Sequence, residues 1–229
     1  MEISLAKLGM EAGCMIVCDG GNGAGKSTVL KAIEAHLLSQ GYELEMTREP
    51  GGTLIGEKIR EILLDRTSAG MCDVTELLLF AAARAQHVQQ RIIPALRAGK
   101  VVVSDRFNSA TVSFQHYARG LPFDLISQLN SIAIGEFKPE VTIILDLDPL
   151  VGLERVASRG SQLDRMEEEN MQFLQNARLG YLEQAKQDPS HFAVIDASQS
   201  LENVVREAIA IVDRTLAVRS LSRRASASE

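Results

Sequence analysis

Gly20-Gly-Asn-Gly-Ala-Gly-Lys-Ser-Thr28 is a run of residue types that can hold phosphate. Gly20, four intervening residues, Gly25, Lys26 and Ser27 have the spacing of a complete phosphate-binding loop. Gly20, Gly21, Gly23 and Gly25, with Asn22 and Ala24 between them, let the chain turn tightly and bring its N–H groups close to phosphate oxygens. A helix that starts at the end of the loop adds the partial positive charge of its N-terminus. Lys26 is placed to reach the β- and γ-phosphates and the Ser27 hydroxyl to ligate Mg²⁺, with Thr28 next in line.

The flanking elements suit this reading. Met15 to Cys18 is a short apolar run, expected as a buried strand, and a helical pattern begins at Ser27 with Leu30, Ile33 and Leu37 on one face. That helix is expected to run to about Gln40, with Gly41 as its C′ residue. Glu43 to Thr47 is a second strand, and Thr47-Arg-Glu-Pro-Gly-Gly-Thr53 a loop whose Thr53 caps the next helix. In that helix Ile55, Ile59, Ile62 and Leu63 form the apolar face. After a polar break, Val74 to Arg97 reads as one long helix that Pro94 kinks or tightens.

Val101 to Ser104 and Val141 to Asp146 are further strands, with two helices between Asn108 and Gly135. Leu150 to Arg159 reads as a helix, Gly160 to Leu163 as a flexible loop, Met166 to Lys186 as a helix, Phe192 to Ile195 as a fifth strand and Leu201 to Leu216 as the last helix. Strands alternating with helices imply a doubly wound, five-stranded parallel sheet flanked by helices, an α/β fold. Ligands of such sheets bind beyond the carboxyl ends of the strands, where Lys26, Arg48, Asp105 and Arg106 all fall. Residues 1–13 are read as an extension, 14–218 as a single domain with a lid at about 155–166, and 219–229 as a disordered tail.

A chain of 229 residues with 45% hydrophobic and 4% aromatic content has ample aliphatic material for one α/β core. Its net charge of −6 argues against a surface that coats a nucleic-acid polymer. Three cysteines, Cys14, Cys18 and Cys72, without metal-site spacing suggest reduced thiols in a cytoplasmic protein. No apolar run approaches the ~20 residues of a membrane helix, and the N-terminus lacks the pattern of a signal peptide.

Several motifs in register narrow the reading. Thr47-Arg48-Glu49-Pro50-Gly51-Gly52-Thr53, Leu79-Phe80-Ala-Ala-Ala-Arg84, Asp105-Arg106-Phe107, Phe114-Gln115-x-x-x-Arg119-Gly120-Leu121, Leu163-Asp164-Arg165 and Arg178-x-Gly180-Tyr181 occur in this order. Over about Met15 to Leu216 the chain resembles the bacterial thymidylate kinases. The resemblance implies transfer of the γ-phosphoryl group of ATP to dTMP with Mg²⁺, and a homodimer.

It also implies roles by position. Phe80 stacks on the base and Arg84 donates to a base carbonyl; the two are four apart and share a helix face. Arg48 and Arg60 hold the acceptor phosphate, with Glu49 beside them. Asp105 lies near Mg²⁺ and the acceptor, Arg106 lies between donor and acceptor phosphates, and Thr111, Phe114 and Gln115 line the base and sugar pocket. Lys26 and Arg106 are the expected catalytic cations, joined by a lid arginine from among Arg155, Arg159 and Arg165. The lid must supply it because Gly23 leaves the phosphate loop without an arginine of its own, and Arg159 is favoured over Arg165.

Three positions depart from the family pattern: Asn22 stands where an acidic residue is usual, Phe114 replaces Tyr and Ala110 replaces Ser. They cluster around the acceptor and bear on strictness for dTMP over dUMP. Two other readings are a kinase for another pyrimidine monophosphate and a nucleotide-binding paralogue without catalysis. A small-GTPase-like switch is disfavoured, since neither Asn-Lys-x-Asp nor Asp-x-x-Gly occurs.

Overall fold

The computed structural model describes residues 13–135, 137–158 and 164–219. The expected N-terminal extension, the Gly160–Leu163 loop and the tail therefore lie almost wholly outside the described residues, as does Arg159.

Strand β1 (Cys14–Gly20) is buried along its whole length. Cys14, Ile16 and Cys18 join one core layer while Met15 and Val17 join another, the period-two alternation of a strand covered on both faces. The other strands are β2 (Leu44–Arg48), β3 (Val101–Asp105), β4 (Val141–Asp146) and β5 (Phe192–Asp196). They pair in the order β2-β3-β1-β4-β5, every pair parallel. The strand order reverses at β1, so the crevice beyond its C-terminal end is the topological switch point.

Helix α1 (Lys26–Ser39) follows β1 and packs Ile33 and Leu37 into the first layer, together with Val212 and Leu216 of α9 (Leu201–Arg219). It ends as its sequence requires: Gly41 takes φ 80° and donates to Leu38 O at 3.0 Å, while Tyr42 donates to Leu37 O at 3.1 Å. Helix α2 (Leu54–Leu64) is capped by Thr53, whose hydroxyl accepts from Gly56 N at 3.0 Å. Its apolar face needs correction. Leu63 is buried, but Leu54, Ile55 and Ile62 are exposed, because α2 meets the rest of the chain mainly through Gly56 and Leu63.

The long helix expected over Val74–Arg97 is three pieces: α3 (Asp73–His87), a π segment (Val88–Ile92) and α4 (Ile93–Arg97). Pro94 has no N–H to offer the preceding turn. The widened turn before it shifts the ladder by one residue, Ile93 N–H bonding Val88 O, and the chain continues without a break. Helix α5 (Asn108–Thr111) runs directly into a second π segment (Val112–Ala118), and α6 (Phe123–Ile134) follows.

Helix α7 (Pro149–Ala157) is capped by the Asp148 side chain. The helix expected from Met166 starts later, as α8 (Met171–Gln187). Asp164 Oδ1 first accepts from Met166 N and Glu167 N in a separate turn, and Asn170 Oδ1 then caps α8 through Phe173 N. Short side-chain acceptors compete here with helix continuation.

Candidate functional site

At the C-terminal ends of β1, β2 and β3 lies a cavity of about 370 Å³ that brings together the phosphate loop and the arginines expected around it. Asn22, Lys26, Ser27, Arg48, Arg60 and Arg106 all line it, as do Phe80, Arg84, Thr111, Phe114 and Gln115 on the side away from the loop. Residues far apart in the chain thus share one space because parallel strands all end on the same edge.

The loop is held by close packing. Gly23 has φ 74°, and a Cβ there would come within 2.3 Å of Gly152 O, while a Cβ on Gly152 would come within 2.3 Å of Asn22 O. The loop tip and α7 therefore meet backbone to backbone, and Arg155 of α7 adds bonds from Nη1 to Gly23 O and Ala197 O at 3.4 and 3.2 Å. Lys26 Nζ donates to Gly20 O and Gly21 O at 3.0 and 2.9 Å. Burial of its ammonium, and next the charge of Arg106, lower its pKa to about 8. Both effects are of the kind an arriving phosphate would reverse.

Arg106 is held on several sides. Its backbone has φ 69°, in the left-handed region that a non-glycine residue adopts only under constraint. Nη1 donates to Asp19 Oδ1 at 3.0 Å and to Tyr181 OH at 2.8 Å, Nη2 donates to Asn22 Oδ1 at 3.3 Å, and the guanidinium lies 5.3 Å from the Phe114 ring centroid. Burial works against its charge, but Tyr181, Asp19 and Asp105 outweigh it and raise its pKa above the usual guanidinium range. Asn22 accepts from Arg106, and Phe114 presents its ring face to it.

Asp105 ends β3, and its Oδ1 is a buried oxygen without a hydrogen-bond partner among the described residues. An unpartnered carboxylate oxygen facing the same space as the Ser27 hydroxyl fits a divalent cation. Among the described residues no group of three or more His, Cys, Asp or Glu could hold a metal.

Arg48 and Arg60 line the β2–α2 side. Arg48 Nη2 donates to Glu57 Oε2 at 2.8 Å in an exposed pair, and Arg60 Nη1 donates to Pro50 O at 2.9 Å. Arg60 is pulled below its usual pKa by burial and then by Arg48, two conditions an anion between the arginines would relieve.

On the base side the expected residues are joined to one another by hydrogen bonds. Arg84 is 2% exposed and engages four partners: Nε to Glu49 Oε2 at 2.8 Å, Nη1 to Asn130 Oδ1 at 2.8 Å, and Nη2 to Thr111 Oγ1 and Phe107 O at 2.8 and 3.2 Å. Glu49 and Thr111 both line the cavity and also hold Arg84: the Glu49 carboxylate takes Arg84 and His87 Nδ1, and the Thr111 hydroxyl accepts from Arg84. Both position Arg84 at the cavity wall. Arg165, expected as a lid arginine, is buried with Nε on Leu63 O at 2.7 Å and Nη2 on Glu76 Oε2, partners that anchor its guanidinium.

Arg84→Ala is expected to cost about 3–5 kcal/mol of stability by stranding the buried Glu49 carboxylate. It should also raise KM for the base-bearing substrate more than KM for ATP. Chemical denaturation and steady-state kinetics on the folded variant check both.

Sequence reading overlooked Asp19 as a site residue and gave Tyr181 no role. Asp19 is fully buried and accepts from Arg106, from Tyr181 OH at 2.6 Å, from Ser109 Oγ at 2.8 Å and from its neighbour Gly20 N. A lone carboxylate ending an apolar strand beside a phosphate loop was the available sign, since buried charges are paired.

The family profile described as thymidylate kinase matches residues 18–208. A thymidylate kinase of Ectopseudomonas mendocina (strain ymp) is 46% identical over 204 residues, covering 89% of this chain and 97% of the relative. One of Symbiobacterium thermophilum is 43% identical, covering 86% of this chain and 92% of the relative. Among solved structures, the crystal structure of thymidylate kinase from Ehrlichia chaffeensis superposes with a TM-score of 0.71 at 32% identity, covering 88% of this chain and 99% of that one.

Proposed function

The chain belongs to the thymidylate kinase family, and we propose that it transfers the γ-phosphoryl group of ATP to dTMP, giving dTDP and ADP. The observation that carries this reading is the single cavity shared by the phosphate loop, the Arg48–Arg60–Arg106 cations and the Phe80–Arg84 base wall. Loop amides and Lys26 take the ATP phosphates. Arg48 and Arg60 draw the acceptor phosphate to the other end, and Arg106 stands between the two to balance charge as the phosphoryl group moves. Ser27 and Asp105 are the residues that would hold Mg²⁺, which when bound would supply charge neutralisation at the phosphates. Such chemistry asks the protein for positioning and charge more than for a covalent partner.

Residues 14–218 serve as one kinase domain in the cytoplasm; the middle of the expected lid at about 155–166 lies outside the described residues. Among the described residues no helix is long and apolar enough to cross a membrane. The exposed Leu54, Ile55 and Ile62 of α2, with Val74 and Leu78 of α3, form the face on which a second copy would pack. Sedimentation giving twice the 25.0 kDa chain mass checks the dimer, and a monomer at micromolar concentration counts against it.

A coupled assay of ADP release tests the reaction: dTMP should elicit ADP from ATP. Binding of ATP without dTMP-dependent release would overturn it. A second consequence concerns pH. The free-state pKa of Lys26 is about 8, and ATP phosphates raise it, so bound enzyme holds more proton than free enzyme. By linkage ATP affinity then falls as pH rises through about 8, by up to about tenfold per unit. Calorimetry at alkaline pH in two buffers of different ionisation enthalpy should show proton uptake.

A further inference from the structure

Glu76 has no part in the phosphoryl chemistry above, yet it stands between two pieces of the machinery. It lies on α3, four residues before Phe80, and is 1% exposed. Its Oε1 accepts from Gln115 Nε2 at 3.0 Å and Arg119 Nε at 3.1 Å. Its Oε2 accepts from Arg119 Nη2 at 3.1 Å and from Arg165 Nη2. Arg165 also holds Leu63 O, and Arg119 also reaches Glu169, so one carboxylate ties α3, the Val112–Ala118 π segment and the Asp164–Asn170 segment together. Burial works against its ionised form, but Arg119, Arg165 and Gln115 outweigh it and hold the carboxyl below its usual range.

The consequence lies at Gln115, which lines the cavity beside Phe80. An ionised carboxylate only accepts hydrogen bonds, so the amide nitrogen of Gln115 must be the atom facing Glu76. The amide oxygen is thereby turned to the other side. A pyrimidine ring meeting that oxygen is matched if it offers an N3–H, as thymine and uracil do. Cytosine offers a bare N3 acceptor and is mismatched.

We propose that Glu76 is a positioning residue for base selection: it fixes the Gln115 amide as an acceptor toward the pyrimidine ring and, through Arg165, locks that orientation to the Asp164–Asn170 segment. This role presupposes that the cavity takes a pyrimidine monophosphate, which dTMP turnover by the unaltered enzyme reports separately.

Glu76→Gln replaces a pure acceptor by an amide that can also donate, and so frees Gln115 to turn. KM for dTMP should rise about tenfold with KM for ATP nearly unchanged, and the ratio of kcat/KM for dCMP over dTMP should rise at least about tenfold. A parallel rise in both KM values with an unchanged dCMP-to-dTMP ratio would mark Glu76 as structural only and overturn the proposal. Since Glu76→Gln leaves two guanidiniums short of a counter-charge, a second measurement uses the unaltered protein. The Gln115 side-chain NH₂ resonances, assigned by their loss in Gln115→Leu, should be protected from exchange and keep their shifts when dTMP is added. Loss of protection with a large shift on dTMP binding means that the amide nitrogen turns to the ligand, which also overturns it.

Discussion

Lys26→Ala is expected to lower kcat by about 100- to 1,000-fold, the usual consequence of removing one preorganised donor from a site of developing charge. The same substitution should leave the fold intact. Among the described residues Lys26 donates only to Gly20 O and Gly21 O, and burial, which lowers its pKa to about 8, makes its charge unfavourable in the free protein. Lys26 forms no direct ion pair among the described residues, and its neighbour Asp19 keeps Arg106, so the cost is smaller than that of Arg84→Ala. Loop geometry is set by other contacts, above all the backbone approach of Gly23 to Gly152. Kinetics and a thermal melt on one preparation separate the two effects: kcat falls and the melting temperature holds. A variant with undiminished turnover would take the phosphate loop out of the mechanism.

The elements that were legible in the sequence are those governed by local rules. The Thr53 cap, the Gly41 terminator and the buried β1 strand follow from side-chain type within a few residues, and all three are present. The parallel sheet and the meeting of Lys26, Arg48, Asp105 and Arg106 follow from alternation, because parallel strands share one C-terminal edge, whereas the strand order does not. What could not be read is which of several polar partners a buried side chain takes. Glu49 and Thr111 line the cavity, yet nothing in their neighbourhood tells that both also hold Arg84, or that Arg165 holds Glu76. These pairings join residues 27 to 89 positions apart, and no periodicity encodes them. The apolar stripe of α2 failed for a related reason. Ile55 and Ile62 are on one face, but the neighbouring elements cover only Gly56 and Leu63. A hydrophobic pattern identifies a face to be buried without saying whether the same chain buries it.

Arg106→Ala is expected to have the largest effect on chemistry, about 1,000-fold or more in kcat, the range seen when an arginine that stabilises a transferring phosphoryl group is lost. Three acceptors and one ring fix this guanidinium: Asp19, Tyr181, Asn22 and Phe114. Such confinement lowers the entropy still to be lost when the phosphates arrive, so the contribution falls on kcat more than on KM. Arg106→Lys should not restore the rate. A lysine has no planar fork to span Asp19 and Asn22 together, and it cannot stack on Phe114 as a guanidinium does. Both variants leave Asp19 with less compensation in a fully buried place, so some loss of stability accompanies them, about 3–5 kcal/mol for the alanine. Asp19→Asn provides the control, since it removes the anchoring charge and keeps the arginine. If Arg106 acts at the phosphates and Asp19 acts through it, Asp19→Asn lowers kcat by less than Arg106→Ala, and the double variant is no slower than Arg106→Ala alone. Additive losses would mean that the two residues act separately, and a folded Arg106→Ala enzyme within about tenfold of the original kcat would remove Arg106 from the transfer step.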